Sequence, residues 1–492
     1  MHTLPPQLTT LVRRWQRYSF IRTLIKVHGA HVYIVGGAVR DSIINRPVKD
    51  VDIVVCGIAQ KKLAHLLKKH GTVNLVGKAF GVYKFKPRIA IGGEIDIALP
   101  RTERVLRGTG GYKDFIVSSN PRLPITDDLS RRDFTVNAMA VDLATGDIID
   151  PYGGVADCKR KTIKAVGDPL IRFQEDYSRL LRAIRFACQL DFTIQPKTWS
   201  ALKRVAKNIN AKTKGDYIVP RETIAKELTR AIAAAPVTAL YLLDTSGLLQ
   251  HLMPELLRMK RCPQPRQWHT EGDVWKHTLL ALTSTNSKRF KKIFNQPIPA
   301  EVIWALIFHD LGKPYTITKT DRIRFNGHET ASAQLWDTIA DRLKLSSAGL
   351  MVETVKSLIA RHMLVTHISV ATMKATTLEK HFFANAVPGD WLRMVMLADA
   401  LATIPPSGKP NIRNFTQLTK RLADLGTSRQ PLPKPLLDGH EIMKLCGITG
   451  GPHVGILLAT IREAQLTKTI TTKQQARKLV QKHYATLRPT QR

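Results

Sequence analysis

The sequence predicts an α/β head, a small mixed antiparallel sheet with helices on it, followed by an all-α remainder. Three observations carry that reading. Short β-rich runs alternate with brief helical patterns between His31 and Asp150. From about Pro169 onward the apolar period becomes helical and stays so. The length of 492 residues exceeds one ordinary domain, so about two to four are expected.

Taken in order, the first 40 residues hold no acid, and "LVRRWQRYSFIRTLIK" reads as a basic amphipathic helix. It lacks the Ser richness of a transit peptide and runs straight into a glycine motif, so it is expected to belong to the mature chain. "HVYIVGG", "DVDIVVCG", "TVNLVG", "VYKFK" and "EIDIALP" read as strands. "KKLAHLLKKH" (61–70) reads as a helix with Leu63, Leu66 and Leu67 on its apolar side. Residues 101–130 lack a period and carry Gly, Pro, Ser and Asn, which predicts a long loop. "QEDYSRLLRAIRFACQL" reads as a helix with Leu181, Ile184, Phe186 and Cys188 near one stripe and arginines between. "PRETIAKELTRAIAAA" is a further helix opened by proline in its first turn. Residues 265–400 are helical and rich in histidine. "TIPPSGKPNIRN" (403–414) and "TSRQPLPKPLL" (427–437) read as breaks, and no internal repeat is present.

Composition narrows the partners. Lys and Arg total 75 against 39 Asp and Glu, a net charge of +36. Such a surface attracts polyanions, and neutralising phosphates with Lys and Arg releases counterions, so RNA or DNA is the expected partner. No apolar run approaches the ~20 residues of a membrane span. Five scattered cysteines without a CxxC pair fit a reducing compartment, and a cytoplasmic location without membrane attachment is expected.

The first chemical constellation is "YIVGGAVRDSIINRPVKDVDIVV" (33–55). Asp50 and Asp52 stand at i and i+2, which on a strand places both carboxylates on one face. Two such carboxylates repel unless a cation sits between them, and oxygen ligands suit Mg²⁺ or Mn²⁺. Asp96, on another expected strand with Glu94 on the same face, is the candidate third acid. Gly36 and Gly37 close a strand and open a helix, a geometry that presents backbone N–H groups to phosphate oxygens. Arg40, one turn further, adds a charge-assisted contact.

"GGAVRD" followed by "DVD" resembles the head of the class II tRNA nucleotidyltransferases and the similar bacterial poly(A) polymerases. "RRDFTVNAMA" (131–140), "DPYGGVADCKRKTIKAVGDP" (150–169) and "EDYSRLLRAIRF" (175–186) follow in that family's order, over about residues 31–250. The resemblance implies that Asp50, Asp52 and Asp96 hold catalytic Mg²⁺, and that Gly36, Gly37, Arg40 and Arg132 hold a triphosphate. It also implies nucleotide contacts from Asp133 and Asn137, and base selection by Asp176 and Arg179 with Arg182 and Arg185 beside them. The last four are spaced by three along an expected helix, and carboxylate plus guanidinium can complement a Watson–Crick edge. Implied partners are tRNA, ATP and CTP. "VGKAFGVYKFK" (76–86) lacks the arginine-rich strand typical of the poly(A) polymerases, and the loop leading to "SRRD" is full length. Both favour complete CCA addition over polyadenylation or partial addition.

A second constellation follows. His277, His309-Asp310 and Asp399 stand in an H…HD…D order that resembles the HD phosphohydrolases. The resemblance implies a site for a divalent metal (Mn, Ni, Fe or Mg), with His328 and His362 as candidates for a second position. A buried His-Asp pair without a partner is costly, which argues for a ligand role. The resulting organisation is a head (1–150), a neck of nucleotide-recognition and RNA-binding helices (151–255), an HD domain (256–425) and a helical tail (426–492). Lys468, Lys473 and Lys478 in the tail are candidate tRNA contacts. Two other readings stand beside this one: an HD phosphohydrolase with a binding-only head, and a non-enzymatic RNA-binding protein on a dead transferase fold.

Overall fold

The computed structural model describes residues 5–76, 81–88, 93–105, 115–365, 370–383, 387–425 and 434–487. The chain forms two compact units, Met1–Pro254 with Arg342–Ala348, and Glu255–Asp341 with Gly349–Arg492.

The first unit opens with α1 (Pro6–Gln16) and α2 (Ser19–Ile25). The expected single N-terminal helix is therefore broken. Trp15, Tyr18 and Phe20 pack their rings together at centroid distances of 5.4–6.4 Å, and that cluster turns the chain at Tyr18, which is extended. The head follows as β1 (His31–Val35), α3 (Gly37–Ile43), β2 (Asp52–Cys56), α4 (Gln60–Lys68), β3 (Gly71–Val76), β4 (Val82–Pro87) and β5 (Ile95–Ala98). Next come β6 (Arg101–Val105), β7 (Phe115–Ser119), α5 (Ile125–Ser130), β8 (Ala140–Asp142), β9 (Ile148–Ile149) and α6 (Gly154–Lys159).

Seven strands form one sheet in the order β3-β4-β5-β2-β1-β8-β9, with β2–β5 parallel and the other pairs antiparallel. The sheet is covered on both faces, so Ile53 to Cys56 are all buried. Tyr33, Val35, Val54 and Cys56 pack with Ile125, Leu129, Ala138, Ala140 and Val166. On the opposite face Phe20 meets Phe85 edge-on at 5.0 Å. Each fully buried Ile or Val in this sheet contributes about 1.5–3 kcal/mol, which pins the register. The described residues of 101–130 form more than a loop, and 106–114 lie outside the described residues. β6 and β7 form their own two-stranded ladder, and α5 follows. Their alternation was hidden by the charged residues of "RTERV".

The neck continues with α7 (Pro169–Glu175), α8 (Ser178–Leu190), α9 (Pro196–Val205), α10 (Arg221–Ala234), α11 (Pro236–Thr245) and α12 (Leu248–Leu252). The helix expected across "QEDYSRLLRAIRFACQL" is two helices, because Asp176 is extended (φ −150, ψ 105) and ends α7. Asp176 thus precedes the helix that carries Arg179, Arg182 and Arg185. Pro220 caps α10 from outside instead of entering its first turn.

The second unit is helical: α13 (Val274–Ser284), α14 (Lys288–Ile293), α15 (Ala300–Phe308), α16 (Lys313–Thr316), α17 (His328–Arg342), α18 (Val352–Arg361), α19 (Ala375–Phe382), α20 (Gly389–Ala402) and α21 (Arg413–Asp424). Trp304, Phe308 and Trp336 form its aromatic centre. The tail helices α22 (Gly439–Cys446), α23 (Pro452–Leu466) and α24 (Lys473–Leu487) have a core of their own around Ile442, Leu457 and Val480. Glu463 of that tail accepts the first backbone N–H groups of α19 at 2.6 and 2.7 Å, an N-terminal cap supplied from another helix. No helix among the described residues is long and apolar enough to cross a membrane.

Candidate functional site

Two centres emerge, one in each unit. The first is a cleft of about 1240 Å³ whose walls include Gly37, Arg40, Asp50, Asp52, Arg132, Asp133, Asn137, Asp176, Arg179, Arg182 and Arg185. Its floor follows from strand register. Val35, Asp52, Asp96 and Lys84 are cross-strand partners in one row over β1, β2, β5 and β4. Register partners share a face, so Asp52 and Asp96 lie side by side. Asp50 is not on the strand. β1 ends at Val35 and Gly36 turns the backbone away at φ +71, so nothing pairs with residues before Asp52. The acid expected on a strand is instead in the exposed segment leading into β2.

Desolvation on the cleft floor first, then the nearby carboxylates of Asp96 and Asp50, push the Asp52 carboxyl up, while Arg132 and Lys84 oppose the shift. Lys84 Nζ lies 2.9 Å from Asp96 Oδ1. A carboxylate crowded by two others favours a cation, and an all-oxygen donor set suits Mg²⁺. The three acids are not among the groups whose ligand atoms already lie within 4.8 Å of one another, so this set fits a metal by chemistry and not by preformed geometry.

Above the floor, a chain of polar contacts sets the arginines. Gly36 sits at φ +71, which favours glycine, and a Cβ there would lie 2.7 Å from Arg132 Nη1 and displace that guanidinium. The Gly36 N–H is donated to Met139 O at 3.0 Å. Arg132 donates to Asn137 O at 3.2 Å and to Asp128 Oδ2 at 3.1 Å. Arg40 Nη1 donates to Asn137 Oδ1 at 2.6 Å, and Asn137 Nδ2 donates to Asp133 Oδ1 at 3.3 Å. Arg182 Nε closes the chain on Asp133 Oδ2 at 2.8 Å. Burial alone would raise the Asp133 carboxyl, but Arg182 overrides it and holds the group at about 2. Asp133 and Asn137 therefore line the cleft while holding Arg182 and Arg40 in position.

On α8, Arg179 Nη1 donates to Glu175 Oε2 at 2.6 Å and to Arg172 O at 2.9 Å. Arg185 is paired with Glu227 of α10 and lies 3.9 Å over the Phe186 ring. Asp176 Oδ1 accepts Ser178 N at 2.8 Å, so one carboxylate oxygen is tied to the start of α8.

The second centre lies within the second unit. His309 and Asp310 stand just past the end of α15, in the turn before α16, and not inside a helix as expected. A Cβ on Gly312 would meet His328 O at 2.2 Å, which is how closely that turn packs on the start of α17. Every imidazole of the cluster is anchored through Nδ1: His309 on Leu306 O (2.8 Å), His328 on Phe325 O (2.9 Å), His362 on Ile359 O (2.7 Å) and His277 on Glu271 Oε1 (2.8 Å). A carbonyl acceptor places the proton on Nδ1 and leaves Nε2 bare in His309, His328 and His362. His277 has a carboxylate at each ring nitrogen, and although burial would lower its pKa, Asp399 and Glu271 raise it to about 9.

Those Nε2 atoms converge on two carboxylates. His277 Nε2 lies 3.0 Å from Asp399 Oδ1, and His309 Nε2 lies 3.8 Å from it. Asp310 Oδ2 is 3.4 Å from His309 Nε2 and 3.7 Å from His277 Nε2, whereas its Oδ1 is 3.3 Å from His328 Nε2 and 3.8 Å from His362 Nε2. Two sets of ligand atoms within 4.8 Å result around these carboxylates, His277, His309, Asp399, and Asp310, His328, His362, and a third set, His269, Glu271, His277, adjoins them. The Nε2 of fully buried His309 has no hydrogen-bond partner. His328 and His362 bring Nε2 atoms within 3.3 Å. Converging bare imidazoles around carboxylates fit divalent metal ions, with Asp310 reaching both sets.

Comparison with known proteins now has a geometry to meet. Residues 32–164 match the Poly A polymerase head domain and residues 280–404 match the HD domain. A multifunctional CCA protein of Nitrosomonas europaea is 34% identical over 315 residues, covering 64% of this chain and 69% of that protein. The chain belongs to the multifunctional CCA protein family. The member from Ralstonia nicotianae is 36% identical over 326 residues, covering 65% of this chain and 69% of its own. Among solved structures, a Bacillus stearothermophilus CCA-adding enzyme in complex with CTP matches 98% of each chain at TM-score 0.63 and 22% identity. A Thermotoga maritima CCA-adding enzyme complexed with tRNA_CCA covers 98% of this chain and 96% of its own at TM-score 0.59 and 20% identity. Those likenesses establish the fold of the CCA-adding enzymes, an α/β head followed by helices.

In this member of the multifunctional CCA protein family, sequence reasoning missed the residues that support the ligands. Lys313, three residues after Asp310, has Nζ 2.6 Å from Asp310 Oδ2. Glu271 lies in the same "EGDVWKH" stretch as His277. Lys84 and Asp128 flank the head acids and arginines and carried no motif of their own. Residues 77–80 and 106–114, part of the stretches used to favour CCA addition over polyadenylation, lie outside the described residues.

Proposed function

We propose that the chain adds CMP and AMP from CTP and ATP to the 3′ end of tRNA, building or repairing its CCA terminus. The observation that carries this reading is the row of Asp52 and Asp96, with Asp50 beside it, opening into the arginine-lined cleft. In the reaction the terminal 3′-hydroxyl loses its proton and bonds to the α-phosphorus, the α–β phosphoanhydride breaks, and pyrophosphate leaves. Mg²⁺ held by Asp50, Asp52 and Asp96 would supply charge neutralisation and hydroxyl activation there. Arg40 and Arg132, pre-set by Asn137 and Asp128, lie where a triphosphate would enter, with Gly37 at the start of α3 beside them. Asp176 and Arg179 select the base. The names of the relatives and of the complexes with CTP and tRNA support the substrate assignment. A complex with ATP in the same structural group does so too. Incubation with tRNA lacking CCA, CTP and ATP is expected to give a C-C-A extension. No extension, or an adenosine homopolymer, contradicts the assignment.

Base selection has its own test. Arg179→Ala is expected to cut kcat/KM for CTP by about 10–100-fold, the range of one lost bidentate contact of ~1–3 kcal/mol, and to admit other bases. Sequencing the products made with all four NTPs checks this. Unchanged fidelity would reassign Arg179 to holding Glu175 and α7.

The second unit carries an accessory metal-dependent phosphohydrolase. His277, His309 and Asp399, with Asp310, would hold one ion, and Asp310, His328 and His362 a second. Mn, Ni, Fe or Mg would there supply a water of lowered pKa as nucleophile. Glu271 is a positioning residue, since its Oε1 holds His277 Nδ1 at 2.8 Å while Oε2 accepts Ile404 N at 3.1 Å. Glu271→Gln is expected to weaken Mn²⁺ binding by about 10–100-fold in titration calorimetry. Equal affinity would show that His277 needs no such support. The four segments 1–150, 151–255, 256–425 and 426–492 remain our functional division, with the basic tail as a tRNA contact.

A further inference from the structure

Beside the imidazole–carboxylate centre, within the same unit, lies a cavity of about 550 Å³ whose wall includes Arg261, Gln264, Arg266 and His269. Two hydrogen-bonded links run from that wall to the centre. Gln264 Oε1 accepts Lys313 Nζ at 2.8 Å, and Lys313 Nζ is 2.6 Å from Asp310 Oδ2. His269 Nδ1 lies 2.6 Å from Glu271 Oε1, the oxygen that also holds His277.

The wall carries two guanidinium groups against one carboxylate. Arg261 and Arg266 are exposed, and neither side chain has an acidic partner among the described residues. The one carboxylate on the wall, Asp273, is turned to backbone: Oδ1 accepts Lys276 N at 2.9 Å and Oδ2 accepts Arg261 N at 3.0 Å. Arg261 is held at φ +62, a conformation that costs a non-glycine residue about 1 kcal/mol or more. Exposed Trp268 stands in the same loop and offers a ring face of the kind on which bases stack.

We propose that this cavity is the substrate subsite of the metal centre and takes a nucleoside phosphate, with Arg261 and Arg266 on its phosphate oxygens. The proposal rests on the phosphohydrolase reading above. A cavity of this size takes one nucleotide and not a duplex. Guanidinium forks match phosphate bidentately. The nucleoside phosphate is either free or the terminal unit of a single-stranded RNA.

The test is arginine labelling of the full-length protein with phenylglyoxal, mapped by peptide mass so that the head cleft is read separately. Cytidine 3′-monophosphate, a short 3′-phosphorylated oligoribonucleotide and cytidine are the three additions. Labelling at Arg261 and Arg266 is expected to fall about 5-fold or more with a phosphate-bearing addition and not with cytidine. Protection by the oligonucleotide alone identifies an RNA end, and protection by both shows that a free nucleotide suffices. Equal labelling under all conditions overturns the proposal. Because labelling needs no turnover, it stands apart from the phosphohydrolase reading. That reading fails if the wild type with Mn²⁺ does not hydrolyse bis(p-nitrophenyl) phosphate. With turnover in hand, the double variant Arg261→Ala, Arg266→Ala is expected to raise KM for a cyclic nucleotide about 10-fold at nearly constant kcat. A fall in kcat at constant KM would overturn the subsite.

Discussion

Asp52→Asn, alone or with Asp50→Ala, lowers nucleotide addition to tRNA by about 10³-fold or more while leaving the fold as stable as the wild type, or more so. The activity loss follows from removing a carboxylate of the Mg²⁺ site, where ion-borne charge stabilisation is worth several kcal/mol. The stability result follows from the sign of the Asp52 shift. Desolvation on the cleft floor, Asp96 and Asp50 push its carboxyl above the usual 3.8. A carboxyl raised in the folded state favours folding while protonated, below pH 3.8, and that advantage disappears as pH rises through its folded value. At neutral pH the ionised Asp52 therefore opposes folding, and asparagine removes the repulsion. Incorporation of labelled CTP and ATP gives the first quantity and thermal denaturation the second. If activity and Tm fell together, Asp52 would be a structural residue and the transferase assignment would lose its basis.

Asp310→Ala is expected to abolish metal uptake and phosphoester hydrolysis in the second unit while CCA addition continues. Among the described residues, Asp310 is the one whose two oxygens face both ligand sets. Burial would raise its carboxyl, but His309 and Lys313 reverse this and hold it far below the usual range. Lys313 is itself buried. Removing Asp310 leaves that ammonium without its carboxylate, and breaking a buried pair in this way costs about 3–5 kcal/mol. The pair lies in the second unit, so the loss is expected in the stability of that unit. Metal analysis, calorimetry and the tRNA extension assay separate the three effects. A variant that still bound two metal equivalents would refute the shared role of Asp310.

The pattern of acids and glycines was legible in the sequence because strands impose a two-residue period. That period placed Asp52 and Asp96 on strands, and the structure puts them in register as neighbours. The same reasoning failed for Asp50, since strand length depends on the partner, and β1 stops at the glycine turn. It failed again at Asp176. Helical spacing continued through the sequence, but an extended residue ends α7 there. In the stretch 101–130, charged side chains masked a ladder whose backbone pairs regardless of side-chain polarity.

The sequence by itself determined the chemistry: which carboxylates, imidazoles and guanidiniums are present, their order along the chain, and the basic charge that suits RNA. Motif spacing carries that information because the reactive groups lie on short local segments. Only the tertiary structure decided how each group is held. Asp133 and Asn137 line the cleft but spend much of their hydrogen-bonding on Arg182 and Arg40. Glu271 and Lys313 became visible as supports of the histidine cluster, and Arg261 and Arg266 as the wall of a cavity beside it. The physical reason is that pairing partners are chosen by distance in the fold. His277 and Asp399, 122 residues apart, meet at 3.0 Å, and nothing in the local sequence of either encodes that contact.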